Sequence, residues 1–417
     1  MKLDLTDMLY ALSFALDEVE MEILGVETGH GKRVAYLSVL MGKAAGFRRE
    51  ELRDFAGCCI LHDNALTEFI HEELAQSSIS EEMRRQLSGV INMEDMTINS
   101  RHSVIGEQNI RLMPFRTDVK DVILYHHENA DGTGAMKKTA AETGLKSQIL
   151  HLADMIDVRS RLSAMTEQEF EELCVWVESQ CGRTFSQDAV ELFQKAIDYE
   201  KVCHLDISRV VDYLKKELLE EEFDYSDEEI HHIAAMFAKI VDYKSEFTQM
   251  HSTGIAAKAE QMAHYYHFDA EKTTRYYFAA AMHDIGKLVI SNDILEKPAR
   301  LTNDETAVMQ THVSATYYIL NQMKNIPDII EWASNHHEKL NGTGYFRGLS
   351  ADDLSFEDRL MACIDIYQAL TEKRPYKDGM SHEQAIAIMQ DMVRKGEIDE
   401  SIVRDMDAVM SGNGAKS

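Results

Sequence analysis

Five consecutive residues, His283-Asp284-Ile285-Gly286-Lys287, set an imidazole, a carboxylate and an ammonium inside the otherwise apolar run AAAMHDIGKLVI. Burying such groups is costly unless they share a partner, and a metal ion together with a phosphate satisfies all three. A His-Asp dipeptide alone arises often by chance. Here His251 stands 32 positions earlier, His312 stands 29 later, and His336, His337 and Asp365 follow. Imidazole nitrogen combined with carboxylate oxygen suits manganese or ferrous iron, whereas an all-oxygen set suits magnesium or calcium and a thiolate-rich set suits structural zinc. Five histidines and two aspartates exceed the four ligands of one tetrahedral site, so two divalent ions are expected. Neighbours on a helix point about 100° apart, which lets His283 and Asp284 approach one ion while the carboxylate of Asp284 bridges to another. Two ions sharing a carboxylate can activate water and brace a phosphodiester for in-line attack. Lys287, four residues after His283, falls on the same helical face, where its ammonium would meet phosphate.

The pattern occurs twice. His30 is followed 32 residues later by His62-Asp63, then by His102, 24 residues later by His126-His127, and finally by Asp154. From first copy to second the offsets are 221 for His30 and His62, 210 for His102 and His126, and 211 for Asp154. Both copies carry His-His-Glu before a Gly-x-Gly run, HHENADGTG and HHEKLNGTG. Matched spacing over this length marks an internal duplication.

The elements that must hold these side chains read as helices. The chain has 417 residues, 45% of them hydrophobic and 28% charged, enough for two or three domains with substantial cores. Only four prolines occur, at 114, 298, 327 and 375, and no alternating apolar-polar run is sustained. An all-α protein is expected, built as two tandem helical bundles. The spans are residues 1–200 for a first domain, 201–240 for a helical connector and 241–417 for a second domain. Between the copies TEQEFEELCVWVESQ, SQDAVELFQKAIDY, DISRVVDYLKKELLEE and DEEIHHIAAMFAKIVDYKSEF show helical spacing, with Ser186, Asp206 and Ser226 placed to cap three of them. No Gly/Ser linker separates the halves, which favours a rigid helical junction. The start, MKLDLTDMLYALSF, lacks the basic beginning and unbroken apolar core of a secretion signal, and no run of 18 apolar residues occurs, so a cytoplasmic protein that does not span a membrane is expected. Six cysteines without paired short spacing read as small packed thiols. The formal charge of −29 opposes binding of a nucleic-acid polymer, and an anionic ligand would need local cations.

From about residue 245 to 410 the chain resembles the HD-GYP subgroup of the HD-domain metal-dependent phosphohydrolases. The resemblance runs through HS at 251, HDIGK at 283, KPARLTNDE at 297, His312, HHEKLNGTGY at 336, IDIYQALTEKRPYK at 364 and SHEQA at 381. It implies a helical bundle with an iron or manganese centre that hydrolyses cyclic dinucleotides, chiefly cyclic di-GMP, to pGpG or GMP. Carried across by position, it assigns His251, His283, Asp284 and Asp365 to one metal and Asp284, His312, His336 and His337 to the other. It also places Lys287, Arg374 and Lys377 on substrate, with Gly342, Gly344 and Tyr345 lining the pocket. Three departures stand out: Phe346 replaces the signature's proline, Asn341 replaces the aspartate before Gly342, and Gln368 takes a position often held by aspartate. The glutamate that marks three-metal members falls at Phe247, with Glu246 one place off register, which favours two metals.

The first copy resembles a degenerate version. It keeps His30, His62, Asp63, His102, His126, His127 and Asp154 as a second candidate metal site, yet has Leu66 where Lys287 stands and lacks the RPYK run. Ligand sets and substrate contacts are separable, so metal binding without efficient hydrolysis is expected there. Two other readings remain for the whole chain: a cyclic-dinucleotide receptor or signalling scaffold without turnover, and a phosphohydrolase of other nucleotides. A homodimer or a signalling partner protein is compatible with either.

Overall fold

A computed structural model describes residues 1–24, 27–66, 68, 101–218, 222–244, 251–297, 299–372 and 379–411. Their regular structure is helical apart from two three-residue strands, β1 (Lys2–Asp4) and β2 (Glu222–Asp224), which pair where the chain passes between two compact units. One unit comprises Asp4–Phe223, and the other Met1–Leu3 with Asp224–Ser417.

The first unit contains α1 (Leu5–Leu24), α2 (His30–Ala44), α3 (Arg49–Ile60), α4 (Arg101–Ile110), α5 (Leu145–Arg159), α6 (Glu167–Ser179), α7 (Gln187–Ala196), α8 (Tyr199–Val202) and α9 (Ile207–Leu218). Helix α2 is its axis, packed against α1, α3, α5, α7 and α9. Its buried face carries Val34, Leu37 and Met41, which meet a core that includes Phe55, Ile60, Phe185 and Phe193.

The second unit contains α10 (Asp227–Tyr243), α11 (His251–Tyr265), α12 (Ala270–Met282), a 3-10 turn (Ile285–Val289), α13 (Asn292–Leu295), α14 (Asn303–Leu320), α15 (Pro327–Ser334), α16 (Phe356–Thr371), α17 (His382–Arg394) and α18 (Glu400–Met410). Helix α12 packs on α10, α11 and α15 through the fully buried Tyr276 and Phe278. The duplication is therefore structural: α2 and α11 both begin on the first histidine of the pattern and both run 15 residues. Likewise α5 and α16 each carry its last aspartate.

The three anticipated helix caps are present. Ser186 accepts the Ala189 amide, Asp206 accepts the Arg209 amide, and Ser226 forms a reciprocal capping box with Glu229. The stretch 201–240 divides between the units, because α9 buries Val210, Leu214 and Leu218 among helices of the first, whereas α10 packs on α11 and α12 of the second. All six cysteines are free, with Cys58, Cys59 and Cys363 buried. Among the described residues no helix is long and apolar enough to cross a membrane.

Candidate metal centre

In the second unit five elements bring seven side chains to one place. Helix α11 contributes His251, α14 His312, and α16 Asp365, while His283 and Asp284 follow α12 and His336 and His337 follow α15. The helix expected to run through His283 and Asp284 does not: α12 ends at Met282, and the chain tightens into the 3-10 turn. The cause lies at Gly286. A Cβ there would sit 2.0 Å from the His312 carbonyl oxygen, so only glycine lets this turn lie against the backbone of α14. Thr316 fixes the contact, accepting the Gly286 amide at 3.0 Å and donating to the His283 carbonyl at 2.9 Å.

Asp284 is the hub. Its Oδ2 lies 3.2 Å from His283 Nε2 and 3.6 Å from His251 Nε2, while its Oδ1 lies 3.4 Å from His312 Nε2 and 3.9 Å from His336 Nε2. Asp365 closes the two ends, 3.4 Å from His251 Nε2 and 3.8 Å from His337 Nδ1. Three imidazoles are oriented identically: Nδ1 of His283, His312 and His336 donates to the carbonyls of Ala280, Met309 and Ala333, which directs each Nε2 inward. Among the described residues, these three buried Nε2 atoms and Asp284 Oδ1 have no hydrogen-bond partner. Orphaned imidazole nitrogens converging on one carboxylate fit divalent cations, which would satisfy them all. Burial opposes ionisation of Asp284, but the His283 imidazole and the Lys287 ammonium outweigh it and hold the carboxyl well below the usual range. Lys287 pairs directly with Asp284 Oδ2.

The loop after His337 is shaped by Glu338, whose buried carboxylate accepts the amides of Arg347, Gly348 and Leu349. Gly344 packs so closely that a Cβ would lie 2.5 Å from Glu338 Cα. Tyr345 thereby reaches His337, ring centroids 4.7 Å apart and 31° from parallel. Gly342 is exposed with φ +72°, at the turn of the loop. Asn341 Oδ1 accepts from the amide and hydroxyl of Thr343, as Asp131 does from Thr133 in the first copy, so the exchange of aspartate for asparagine leaves the turn intact. Phe346 adopts φ +93°, a conformation closed to proline, so the change from the signature residue accompanies a different backbone path. Arg374, Lys377, Glu246 and Phe247 lie outside the described residues.

The first unit assembles its own cluster. His62 Nε2 lies 3.3 Å from Asp63 Oδ2, and His102 and His126 Nε2 each lie 3.9 Å from Asp63 Oδ1. His30 Nε2 is 3.3 Å from Asp154 Oδ1, and His127 Nε2 is 2.9 Å from His102 Nε2. All seven residues are buried. Leu66, 1% exposed, occupies the place of Lys287, so no ammonium faces Asp63 from that position.

Two groups escaped the sequence reading. Asp157 receives the Nδ1 of His30 at 2.8 Å, and Glu372 receives that of His251 at 2.9 Å. Asp157 follows Asp154 by three residues on α5, whereas Glu372 follows Asp365 by seven and lies one residue past the end of α16, and neither spacing by itself points to a histidine partner.

Metal-free charge states differ from those a cation requires. Burial pulls His251 toward neutrality, but Asp365 and Glu372 more than offset this and raise its pKa to about 9. Burial acts likewise on His62, and Asp63 and Asp154 raise it to about 9. Both values exceed that of an unfolded histidine. Their imidazolium-carboxylate pairs therefore stabilise the metal-free fold fully below the unfolded pKa of about 6.5, a contribution lost as pH rises through 9. A cation takes neutral imidazole. Manganese binding to metal-free protein at pH 7.5 should thus release at least about one proton per filled centre, read as a buffer-dependent heat in titration calorimetry. Heats independent of the buffer's ionisation enthalpy would contradict the assignment.

Residues 28–159 and 235–402 each match the family described as HD domain. The 3'3'-cGAMP-specific phosphodiesterase 1 of Vibrio cholerae is 27% identical over 404 residues, covering 94% of this chain and 89% of that protein. The 3'3'-cGAMP-specific phosphodiesterase 3 of the same organism is 32% identical over 272 residues, 64% of this chain and 57% of that one. A cyclic di-GMP phosphodiesterase of Pseudomonas aeruginosa is 31% identical over 160 residues, 38% of each chain. The fold is shared with a crystal structure of a cyclic GMP-AMP-specific phosphodiesterase of V. cholerae, at a TM-score of 0.63 and 22% identity, over 100% of this chain and 99% of that one.

Proposed function

This chain belongs to the HD-domain family of metal-dependent phosphohydrolases and carries two tandem copies, and from that premise we propose that its C-terminal copy hydrolyses a cyclic dinucleotide, 3'3'-cGAMP ahead of cyclic di-GMP. One observation carries the reading: among the described residues only the second copy adds an ammonium, Lys287, to the hub aspartate of a complete ligand set. The relative named for 3'3'-cGAMP aligns along both copies, whereas a relative named for cyclic di-GMP aligns over 38% of the chain, which supports placing 3'3'-cGAMP first.

His251, His283, Asp284 and Asp365 would hold one ion, and Asp284, His312, His336 and His337 the other, iron or manganese by their donor chemistry. Such a pair supplies Lewis acidity and a nucleophile at neutral pH. The protein's own groups do the rest. Lys287 Nζ meets a non-bridging phosphate oxygen, in a protein whose charge of −29 otherwise repels the substrate. Tyr345, seated on His337, offers a ring face for a base, and Gly342 and Gly344 let the loop backbone come close to it. Arg374 and Lys377 supply further cations from the adjoining sequence.

Chromatographic product analysis tests this directly. Anaerobically prepared protein loaded with Mn or Fe is incubated with 3'3'-cGAMP and with cyclic di-GMP in parallel, and faster conversion of 3'3'-cGAMP to a linear dinucleotide is expected. The reverse preference would overturn the order of substrates. No product from either, with folded, metal-loaded protein that binds them, would replace hydrolysis with the receptor reading.

A further inference from the structure

The two copies solve one orientation problem with different residues. A ligand histidine that presents Nε2 needs an acceptor for Nδ1-H, which fixes its tautomer and ring and raises its basicity. In the first copy that acceptor is Asp157, 2.8 Å from His30 Nδ1. Arg33 holds Asp157 in turn, through Nε at 2.6 Å and Nη2 at 2.9 Å. In the second copy the residue matching Asp157 is Gln368, and the residue matching Arg33 is Gly254. Gln368 fills the room left by the missing arginine: a Cβ on Gly254 would lie 2.6 Å from its Nε2. Its Oε1 accepts from Lys258 at 2.6 Å, and Lys258 stands where the first copy has the buried Leu37. Gln368 is thereby engaged by Lys258, while His251 Nδ1 meets Glu372 Oε2 at 2.9 Å. Glu372 lies one helical turn beyond Gln368, and its first-copy counterpart is Arg161. The side chains of Glu372 and His251 are 9% and 5% exposed, so water competes little for the bond.

We infer that Glu372 is the positioning residue for His251, having taken over from position 368 the task that Asp157 performs for His30. The longer glutamate side chain, set one turn later, delivers a carboxylate to the same ring nitrogen. Arg33 and Asp157 in the first copy stand against Gly254, Gln368, Lys258 and Glu372 in and around the same place in the second. His283, His312 and His336 rest on backbone carbonyls, whereas the ring of His251 is held at Nδ1 by a replaceable side chain. The inference rests on the metal-centre reading but on no choice of substrate.

The test is manganese affinity by chelator competition on the full chain, with Asp63→Ala present throughout so that only the C-terminal centre is read. Glu372→Ala should weaken binding about 10- to 100-fold, and adding Gln368→Asp, or Gln368→Asp with Gly254→Arg, should restore it. Parent-like affinity in folded Glu372→Ala overturns the inference. So does a loss that neither restored carboxylate recovers, since Glu372 would then serve only the fold. Should Glu372→Ala fail to fold, Glu372→Met keeps the length and removes the acceptor, and parent-like affinity in it is likewise fatal. A parent that binds no manganese at all refutes the metal-centre reading instead, which keeps the two failures apart.

Discussion

Asp284→Ala is expected to lower cyclic-dinucleotide turnover about a thousandfold or more, while Asp63→Ala leaves kcat/KM within about twofold of the parent. The asymmetry follows from geometry. Asp284 faces His251 and His283 with one oxygen and His312 and His336 with the other, so its removal separates two ligand groups that nothing else joins as closely. Asp63 holds the same place in the first unit, between His62 on one oxygen and His102 and His126 on the other. That unit presents no ammonium at position 66, and its seven candidate ligands are buried, whereas the His337 side chain of the second unit is 29% exposed. Each variant should therefore lose the metal of its own unit, measured by elemental analysis, yet only Asp284→Ala should lose product. Equal losses of activity in the two would mean that both copies take part in turnover.

The helical class, the duplication and the seven-residue sets were legible because each depends on spacing that a helical chain preserves. His251 and Asp365 lie on α11 and α16 at fixed registers, and His283 meets them one residue past the end of α12. The caps at Ser186, Asp206 and Ser226 were legible for a local reason, a side-chain oxygen within reach of an amide three residues on. What escaped depends on approach between distant segments. Helical periodicity runs straight through His283-Asp284 only if nothing else constrains the backbone, and the contact of Gly286 with α14 ends the helix first. The same holds for Glu372 and Asp157, whose value lies in a nitrogen more than 120 residues away. Phe346 shows the limit of motif comparison: its departure from the signature is visible in the letters, but the positive φ behind it is a property of the folded loop. The stretch 201–240, expected as a connector, divides between the two units, and amphipathic helices signal burial without saying on which unit.

Lys287→Leu, which copies position 66 into the second unit, is expected to lower kcat/KM about 100- to 1,000-fold while metal affinity stays level or rises. The opposed signs come from the two partners of one ammonium. Lys287 pairs with Asp284 Oδ2, and its charge helps hold that carboxyl in the ionised form. A cation bound at Asp284 competes for the same oxygen, so removing the lysine removes a rival without removing a ligand. Phosphate, by contrast, loses the one basic side chain seen pairing with the hub aspartate among the described residues, and in a chain with 72 acidic against 43 basic residues nothing diffuse replaces it. A residue that merely supported the fold would lower stability, metal affinity and turnover together. Chelator competition and steady-state kinetics on the same preparation separate these outcomes, and a parallel fall in both would remove Lys287 from the substrate and return it to the scaffold.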